Sequence, residues 1–251
     1  MDLKGHRAVI TGASRGIGAA TARLFARLGA DVAVHFRRGE AEAMGVVSDV
    51  REAGAQAVAC RADLSSWDAG EGLLGGAERA LGAIDVVVVN HGLWKEAPID
   101  AMTAADYDET LDANLRGIFS VCGAAARRMK ARGAGRIVLV SSTAGQRGEA
   151  RHAHYAATKG AVISVTKSLA AELAPWGIRV NCVAPGWVAT DMTERTLHDQ
   201  GGRDAVLATI PLGRVASPEE IAWPIAFLAS DVASFVTGEI LNVNGGAVLV
   251  G

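Results

Sequence analysis

The chain has 251 residues, of which 50% are hydrophobic, and its 25 basic residues nearly balance 27 acidic ones. The net charge of −2 gives no reason to expect nucleic acid or a membrane surface as the main partner. No apolar run reaches the roughly 18 residues of a membrane-spanning helix, and no signal peptide is expected. Three cysteines without a CxxC spacing favour reduced thiols and a cytoplasmic protein.

Strand-like and helix-like segments alternate along the chain. Short Val- and Ala-rich runs predict seven strands, at 7–11, 31–36, 55–62, 84–90, 136–142, 178–186 and 239–246. Helical periodicity lies between them, at 16–30, 40–53, 66–81, 103–133, 153–174 and 217–230. The valine run "VVVV" suits a strand buried on both faces. We therefore expect an α/β fold, a single doubly wound Rossmann-type domain over residues 1–251, with a seven-stranded parallel sheet and helices on both faces.

The first predicted strand runs into "TGASRGIG", residues 11–18, which places three glycines between a strand and a helix. The spacing is neither G-x-G-x-x-G nor a Walker loop. Missing side chains would let a pyrophosphate approach the backbone, where the helix N-terminus offers N–H groups and a positive dipole end. A plain tight turn is the alternative for the glycines alone, but the strand–turn–helix context favours a dinucleotide site.

The end of the second strand indicates which dinucleotide is bound. NAD sites usually carry a carboxylate there, which bonds the ribose 2′-OH. Here the strand ends with Arg37 and Arg38, and Arg15 lies in the glycine loop. Three guanidinium groups suit a 2′-phosphate, so NADP is expected rather than NAD, unless Arg37 and Arg38 form a solvated loop. Asp63 is placed to accept a bond from an adenine amino group or to cap a helix.

The stretch "HAHYAATKG", residues 152–160, sets Tyr155 and Lys159 one helical turn apart on the same face. A nearby ammonium lowers the pKa of a phenol, so Tyr155 becomes a usable acid or base for proton transfer to a ketone oxygen beside a nicotinamide. Ser142 ends the fifth strand and can bond a substrate oxygen where charge develops. Asn114, among apolar residues of the long helix, can hold water for a proton relay to Lys159.

The sequence resembles the short-chain dehydrogenase/reductase family over essentially its whole length. The resemblance rests on "TGASRGIG", "ADLS", "VNHG", "YAATK", "NCVAPGWVAT" and the closing "VNGG". It implies a catalytic tetrad of Asn114, Ser142, Tyr155 and Lys159. It also implies a cofactor site formed by Gly12, Ser14, Arg15, Gly16, Ile17, Gly18, Arg37, Arg38, Asp63, Leu64, Asn90, Gly92, Tyr155, Lys159, Pro185, Gly186, Val188 and Thr190. His91 departs from the usual "NNAG" and adds bulk and a titratable group.

Within that family the chain most resembles the 3-oxoacyl-acyl-carrier-protein reductases, which reduce a β-keto thioester with NADPH. An acidic carrier protein would need basic residues near the pocket. The long helix ends in such a cluster, Arg127, Arg128, Lys130, Arg132 and Arg136. The same cations also suit a helix C-terminus in solvent, and Glu172 on the next helix weakens the carrier-protein interpretation.

We therefore expect an NADPH-dependent carbonyl reductase acting on a small-molecule ketone or an acyl thioester, with acyl carrier protein as a candidate partner. An NAD(P)-dependent alcohol or sugar dehydrogenase of the same family is the alternative. The resemblance also implies a homotetramer.

The substrate pocket is expected to include Trp94, His152, Trp187 and Met192, with the polar segment 187–212 as an irregular lid that closes on substrate. His152 and His154 lack a third ligand, so no metal is expected. A hydrolase using Ser142 would want G-x-S-x-G, which "VSSTAG" lacks. A non-catalytic cofactor sensor would not need all four tetrad residues.

Overall fold

The computed structural model describes residues 1–250. Seven strands form one sheet in the order β3-β2-β1-β4-β5-β6-β7, and every pairing is parallel. The strands are β1 (Arg7–Ile10), β2 (Asp31–Phe36), β3 (Ala57–Arg61), β4 (Val86–Val89), β5 (Gly135–Val140), β6 (Ile178–Pro185) and β7 (Ile240–Val243). The expected α/β class and doubly wound parallel sheet are confirmed.

Ten α-helices connect and flank these strands within residues 1–250. They are α1 (Gly16–Arg27), α2 (Glu40–Glu52), α3 (Ala69–Leu81), α4 (Ala104–Leu111), α5 (Gly117–Arg132), α6 (Ala144–Arg147), α7 (Ala153–Leu173), α8 (Glu194–His198), α9 (Gln200–Ala208) and α10 (Pro218–Ala229). Most bounds agree with the sequence patterns to within three residues. None of these helices is long and apolar enough to cross a membrane.

Two apolar layers cover the sheet, because alternate side chains of each buried strand point to opposite faces. Val86 and Val88 of β4 pack in the layer that includes α1, α2 and α10. Val87 and Val89 pack in the layer that includes α3, α5 and α7. A strand of four valines therefore belongs at the centre of such a sheet, with both faces buried.

Two segments differ from the sequence expectation. The stretch 103–133 is not one regular α-helix, because a π-helical turn, Asp112–Arg116, separates α4 from α5. Segment 187–212 is not wholly irregular, since it contains α8 and α9, the second capped by Asp199. These two short helices were not predicted from the sequence, because the segment is polar and the helices bury little of their surface.

Successive strands are added toward one edge of the sheet from β1 to β3 and toward the other edge from β4 onward, so β1 and β4 are neighbours although β2 and β3 intervene in sequence. At such a switch point the loops beyond the carboxyl ends of the strands diverge and leave a crevice. The glycine loop follows β1, the "VNHG" segment follows β4, and Ser142 follows β5. The topology thus brings the candidate residues to one edge of the sheet.

Candidate active site

The glycine loop between β1 and α1 is held by a buried histidine of β2. Gly12 and Gly16 have φ of 62° and 54°, in the left-handed region that favours glycine. The Gly12 N–H donates to Nδ1 of His35 at 3.0 Å, and Nε2 of His35 lies 3.2 Å from the carbonyl oxygen of Ala62. Burial lowers the pKa of His35 to about 4, so the ring is neutral and carries its proton on Nε2. A lone histidine in an apolar strand was the signal that could have identified this contact.

The start of α1 is prepared for an anion. Its N-cap residue, Arg15, provides no side-chain cap, and the first turn contains no acidic residue. The first N–H groups of the helix and its positive dipole end therefore remain for a ligand. Gly18 lies in the first turn of the helix, where a β-carbon would clash with the carbonyl oxygen of Gly12.

His91 is packed beneath the same loop. Its Nδ1 lies 2.8 Å from Oγ1 of Thr11, which also accepts the Asn90 N–H at 2.9 Å. Burial, assisted by the nearby His35 and Lys159, lowers the pKa of His91 to about 3 and keeps the ring neutral. A β-carbon at Gly117 would lie 2.6 Å from Nε2 of His91. The added bulk of His91 is thus accommodated by a glycine at the start of α5.

The three predicted arginines all line the cavity but have different partners. Arg37 pairs with Asp63 at 2.9 Å, and Arg15 pairs with Asp191 at 3.3 Å across the cavity. Arg38 forms no ion pair within residues 1–250. The Asp63 carboxylate also accepts hydrogen bonds from the N–H and the hydroxyl of Ser65. Both of its oxygens therefore have partners within the protein.

Tyr155 is buried against Trp94 and Ala144, with 8% of its surface exposed. Burial raises the pKa of the Tyr155 phenol to about 12, although its hydrogen bond with Ser142 acts in the opposite direction. The expected net lowering of this pKa does not occur in the chain by itself, because burial dominates although Nζ of Lys159 lies 5.8 Å from the ring centroid. A phenol with so high a pKa retains its proton at neutral pH and is a weak acid in the chain by itself.

Lys159 is buried on the same helix face. Its Nζ donates to the carbonyl oxygen of Val140 at 2.9 Å, and Oγ of Ser141 donates to the Lys159 carbonyl at 2.7 Å. Burial lowers the pKa of the Lys159 ammonium to about 8, because the charged form loses hydration. The lysine therefore remains largely cationic at neutral pH.

Asn114 lies in the π-turn, one layer behind the cavity. Its Oδ1 accepts the Leu93 N–H at 2.7 Å, and its Nδ2 donates to the Leu93 carbonyl at 2.8 Å. A β-carbon on Gly92 would lie 3.1 Å from Oδ1 of Asn114 and 3.7 Å from Nζ of Lys159. Gly92 therefore leaves space between the two side chains, where a water relay would have to pass.

The segment after β6 closes the opposite wall. Gly186 is confined by Asn244, whose Cα would lie 3.0 Å from an added β-carbon. A β-carbon on Gly16 would approach Cγ2 of Thr190 to 3.3 Å, so this segment contacts the glycine loop directly. Val188 is buried and forms an isolated parallel β-bridge with Ala216.

A group of aromatic and acidic side chains forms the wall beyond Tyr155. The Trp94 ring stacks on His152 at a centroid distance of 4.6 Å and meets the Trp187 ring edge-on at 5.8 Å. The indole N–H of Trp94 donates to Oε1 of Glu149 at 3.1 Å. Met192 lines the cavity and is 47% exposed.

One continuous cavity of about 600 Å³ joins these features, a size suited to a dinucleotide and a small substrate. Among the sequence-predicted residues it is lined by Gly12, Ser14, Arg15, Gly16, Ile17, Arg37, Arg38, Asp63, Leu64, Asn90, Gly92, Trp94, Ser142, Tyr155, Lys159, Pro185, Gly186, Trp187, Val188, Thr190 and Met192. The predicted residues outside this lining are Gly18, Asn114 and His152, which pack behind it.

Several charged residues of the lining were missed by the sequence reasoning. They are Glu109, Arg147, Glu149 and Asp191. Position was the available signal for two of them, because Arg147 and Glu149 lie between Ser142 and Tyr155. Within residues 1–250 no group of three His, Cys, Asp or Glu side chains has a geometry that could hold a metal ion.

The cavity fits a phosphorylated dinucleotide. Its lining includes Gly16 and Ile17 of the uncapped helix N-terminus, the arginines near β1 and β2, and Tyr155 and Lys159 of α7. Anionic phosphates match the first two features, and a reacting group would lie at the third.

Comparison with known proteins assigns the family. A family model described as enoyl-(acyl carrier protein) reductase matches residues 12–248. The chain is 41% identical over 242 residues to L-rhamnose 1-dehydrogenase (NAD(P)(+)) of Azotobacter vinelandii, covering 95% of this chain and 94% of the relative. It is 39% identical over 248 residues to the 3-oxoacyl-[acyl-carrier-protein] reductase of Synechocystis, covering 98% of each.

Solved structures agree. A gluconate 5-dehydrogenase from Burkholderia cenocepacia, in complex with NADP and tartrate, superposes with a TM-score of 0.93 at 36% identity, covering 98% of this chain and 96% of that one. A short-chain type dehydrogenase/reductase from Mycobacterium marinum gives a TM-score of 0.93 at 36% identity, covering 99% and 98%. The chain therefore belongs to the short-chain dehydrogenase/reductase family and is an NAD(P)(H)-dependent oxidoreductase.

Proposed function

We propose that this chain is an NADPH-dependent carbonyl reductase in which Tyr155 donates the proton to the ketone oxygen. The observation that carries the proposal is the buried Tyr155, which lines one cavity together with Ser142 and Lys159, and this cavity is large enough for NADP and a substrate. When bound, the cofactor supplies the hydride that reaches the ketone carbon.

The chain's own residues then divide the remaining work. Ser142 donates to the substrate oxygen and orients it toward the Tyr155 hydroxyl, stabilising the charge that develops there. The Lys159 ammonium stabilises the phenolate left after proton transfer and can hold the cofactor ribose. Asn114 anchors the backbone at Leu93 and borders the space near Lys159 through which water would return a proton.

NADP is the proposed cofactor, with NAD less favoured. Arg15, Arg37 and Arg38 line the end of the cavity expected to receive the adenosine, and the Burkholderia relative was solved with NADP. Because Asp63 and Asp191 partly neutralise two of these arginines, Arg38 is the proposed main contact of the 2′-phosphate. The other residues proposed for cofactor binding remain those named from the sequence.

Two substrate classes have support from relatives. Reduction of an acyl thioester, with acyl carrier protein as partner, is favoured by 39% identity to the Synechocystis reductase. Oxidation or reduction of a sugar is favoured by 41% identity to the rhamnose dehydrogenase. The five cations at the end of α5 and the start of β5 add little to the first, because each pairs with a carboxylate, Glu71, Glu78, Glu172 or Asp231.

Four further expectations belong to this proposal. The chain would act as one domain and assemble as a homotetramer. The segment 187–212, which contains α8 and α9, would serve as a lid over the substrate. The three cysteines of the chain form no disulfide, which fits a cytoplasmic enzyme.

The test is a paired assay with a matched variant. Oxidation of NADPH and of NADH is followed at 340 nm with acetoacetyl-coenzyme A and then with simple ketones and sugars. NADPH-selective reduction is expected, and Tyr155→Phe should reduce turnover at least about a thousandfold because the proton donor is lost. NADPH affinity of that variant, measured by fluorescence, should remain nearly unchanged, whereas Lys159→Ala should impair both. Turnover that survives in Tyr155→Phe would refute the mechanism.

A further inference from the structure

A carboxylate forms part of the cavity wall beside the proposed proton donor. Glu149 lines the cavity together with Tyr155 and Trp94, and its side chain is only 20% exposed. Oε1 of Glu149 accepts a hydrogen bond from the Trp94 indole N–H at 3.1 Å and lies 3.8 Å from Nδ1 of His152. Both of these contacts involve the same carboxylate oxygen. Within residues 1–250 no arginine or lysine pairs with it. Oε2 thus remains an acceptor for a ligand.

Two loops fix the direction of this carboxylate. The Ala97 N–H donates to the Arg151 carbonyl at 2.8 Å, and the Arg151 guanidinium pairs with Glu96. The Trp94 ring stacks on His152, which adds a third connection between the same loops. Glu149 is therefore oriented by structure on both sides of it.

The backbone at this place is strained. Arg151 has φ of 64°, the one positive φ of a non-glycine residue within residues 1–250. A side chain other than glycine is disfavoured in this region, and such strain accumulates where a site must be shaped. The conformation at Arg151 sets the course of the chain between Glu149 and His152, both of which contact Trp94.

This wall suits a hydroxyl group and opposes a plain hydrocarbon. A partly buried carboxylate that receives a hydroxyl donor gains a charge-assisted hydrogen bond. The same carboxylate covered by an acyl chain would lose water and gain no partner, which is unfavourable. The neighbouring indole offers an apolar surface for the C–H face of a carbon chain whose hydroxyl reaches Glu149.

We propose that Glu149, positioned by Trp94, accepts a hydrogen bond from a substrate hydroxyl and makes the enzyme selective for hydroxylated ketones and polyols over acyl thioesters. This inference rests on the proposed function and deepens it by naming the substrate class. The hydroxyl lies next to the reacting carbon, because Glu149 and Tyr155 line adjoining parts of one wall.

The test compares two ketones that differ by one hydroxyl, 3-hydroxy-2-butanone and 2-butanone, in reduction by NADPH. The wild-type enzyme should favour the hydroxylated ketone in kcat/KM, and it should reduce acetoacetyl-coenzyme A less efficiently than the hydroxylated ketone. Glu149→Gln keeps an acceptor for the Trp94 N–H but loses the charge. The preference should then fall about 10- to 100-fold, the range expected for a hydrogen bond to a charged group.

Two further variants complete the test. Trp94→Phe keeps an aromatic ring but removes the N–H that orients Glu149, so the preference should fall severalfold. Glu172→Gln, which removes an exposed carboxylate near the end of α7 that does not line the cavity, should leave the preference as in the wild type.

A ratio of the two kcat/KM values that is the same in wild type and Glu149→Gln would overturn the inference while leaving carbonyl reduction intact. Superior turnover of acetoacetyl-coenzyme A would overturn it likewise. Failure of the wild-type enzyme to reduce any ketone would instead refute the proposed function, and the inference with it.

Discussion

At the scale of single residues, burial controls the two titratable groups of the proposed tetrad more than their mutual attraction does. It raises the pKa of Tyr155 to about 12 and lowers that of Lys159 to about 8. Each shift favours the neutral form, as expected when a charge loses hydration. The sequence places the two residues one turn apart but carries no measure of how deeply they are buried. For that reason the sequence did not indicate that burial outweighs the effect of Lys159 on the tyrosine pKa in the chain by itself.

The lowered pKa of Lys159 makes stability depend on pH. Between about pH 8 and pH 10.5 the unfolded chain holds more protons at this site than the folded chain. The free energy of unfolding therefore rises with pH across that window, and the full cost of the buried charge is present below it. From pH 7 to pH 9.5 we expect the free energy of unfolding of the wild type to increase by about 2 kcal/mol relative to that of Lys159→Met.

Urea unfolding of both proteins at the two pH values measures this difference. Comparison of the two proteins at each pH isolates the contribution of Lys159, because every other titratable group is common to both chains. A difference that stays constant with pH would show that Lys159 does not titrate in this window.

At the scale of elements, the π-turn between α4 and α5 is the feature that places Asn114. Because Asn114 satisfies both backbone groups of Leu93, Asn114→Ala leaves a donor and an acceptor without their partner. We expect the free energy of unfolding to fall by about 2–4 kcal/mol, since each group lost from a buried position costs about 1–3 kcal/mol.

Asp112→Asn, in the same π-turn, is the matched control for that measurement by urea unfolding. It breaks only a partly exposed ion pair with Arg116, at 2.8 Å, and should cost less than about 1 kcal/mol. Equal losses in the two variants would contradict the role given to the Asn114 amide.

The elements also show which features a sequence can predict. The strands were predictable because the valine-rich runs are short, uninterrupted and bounded by turns, and capping boxes at Thr103 and Ser217 mark the starts of α4 and α10. The π-turn was not predictable, because one extra residue per turn barely alters the helical pattern of apolar side chains. Glu149 escaped notice because it lies in a loop with no motif and acquires its partner, Trp94, from 55 positions away.

At the scale of the whole molecule, the candidate site is assembled from the loops after several parallel strands. The motifs indicated which residues would meet, since the carboxyl ends of parallel strands share one edge. The ion pairs between the loops were not indicated. Arg15 and Asp191 are 176 positions apart in the chain, and only the folded arrangement reveals that they pair.

The Arg15–Asp191 pair has a consequence for the order of events in a catalytic cycle. It ties the start of the proposed lid to the glycine loop, and Thr190 contacts Gly16 beside it. A ligand that engages the glycine loop will therefore alter the support of the lid before any ketone arrives. We expect the dinucleotide to bind first and leave last, so that NADP⁺ inhibits competitively against NADPH while the alcohol product does not. Calorimetric detection of ketone binding to the protein without dinucleotide would contradict this order. It would also contradict the inference that Arg15 couples dinucleotide binding to the position of the lid.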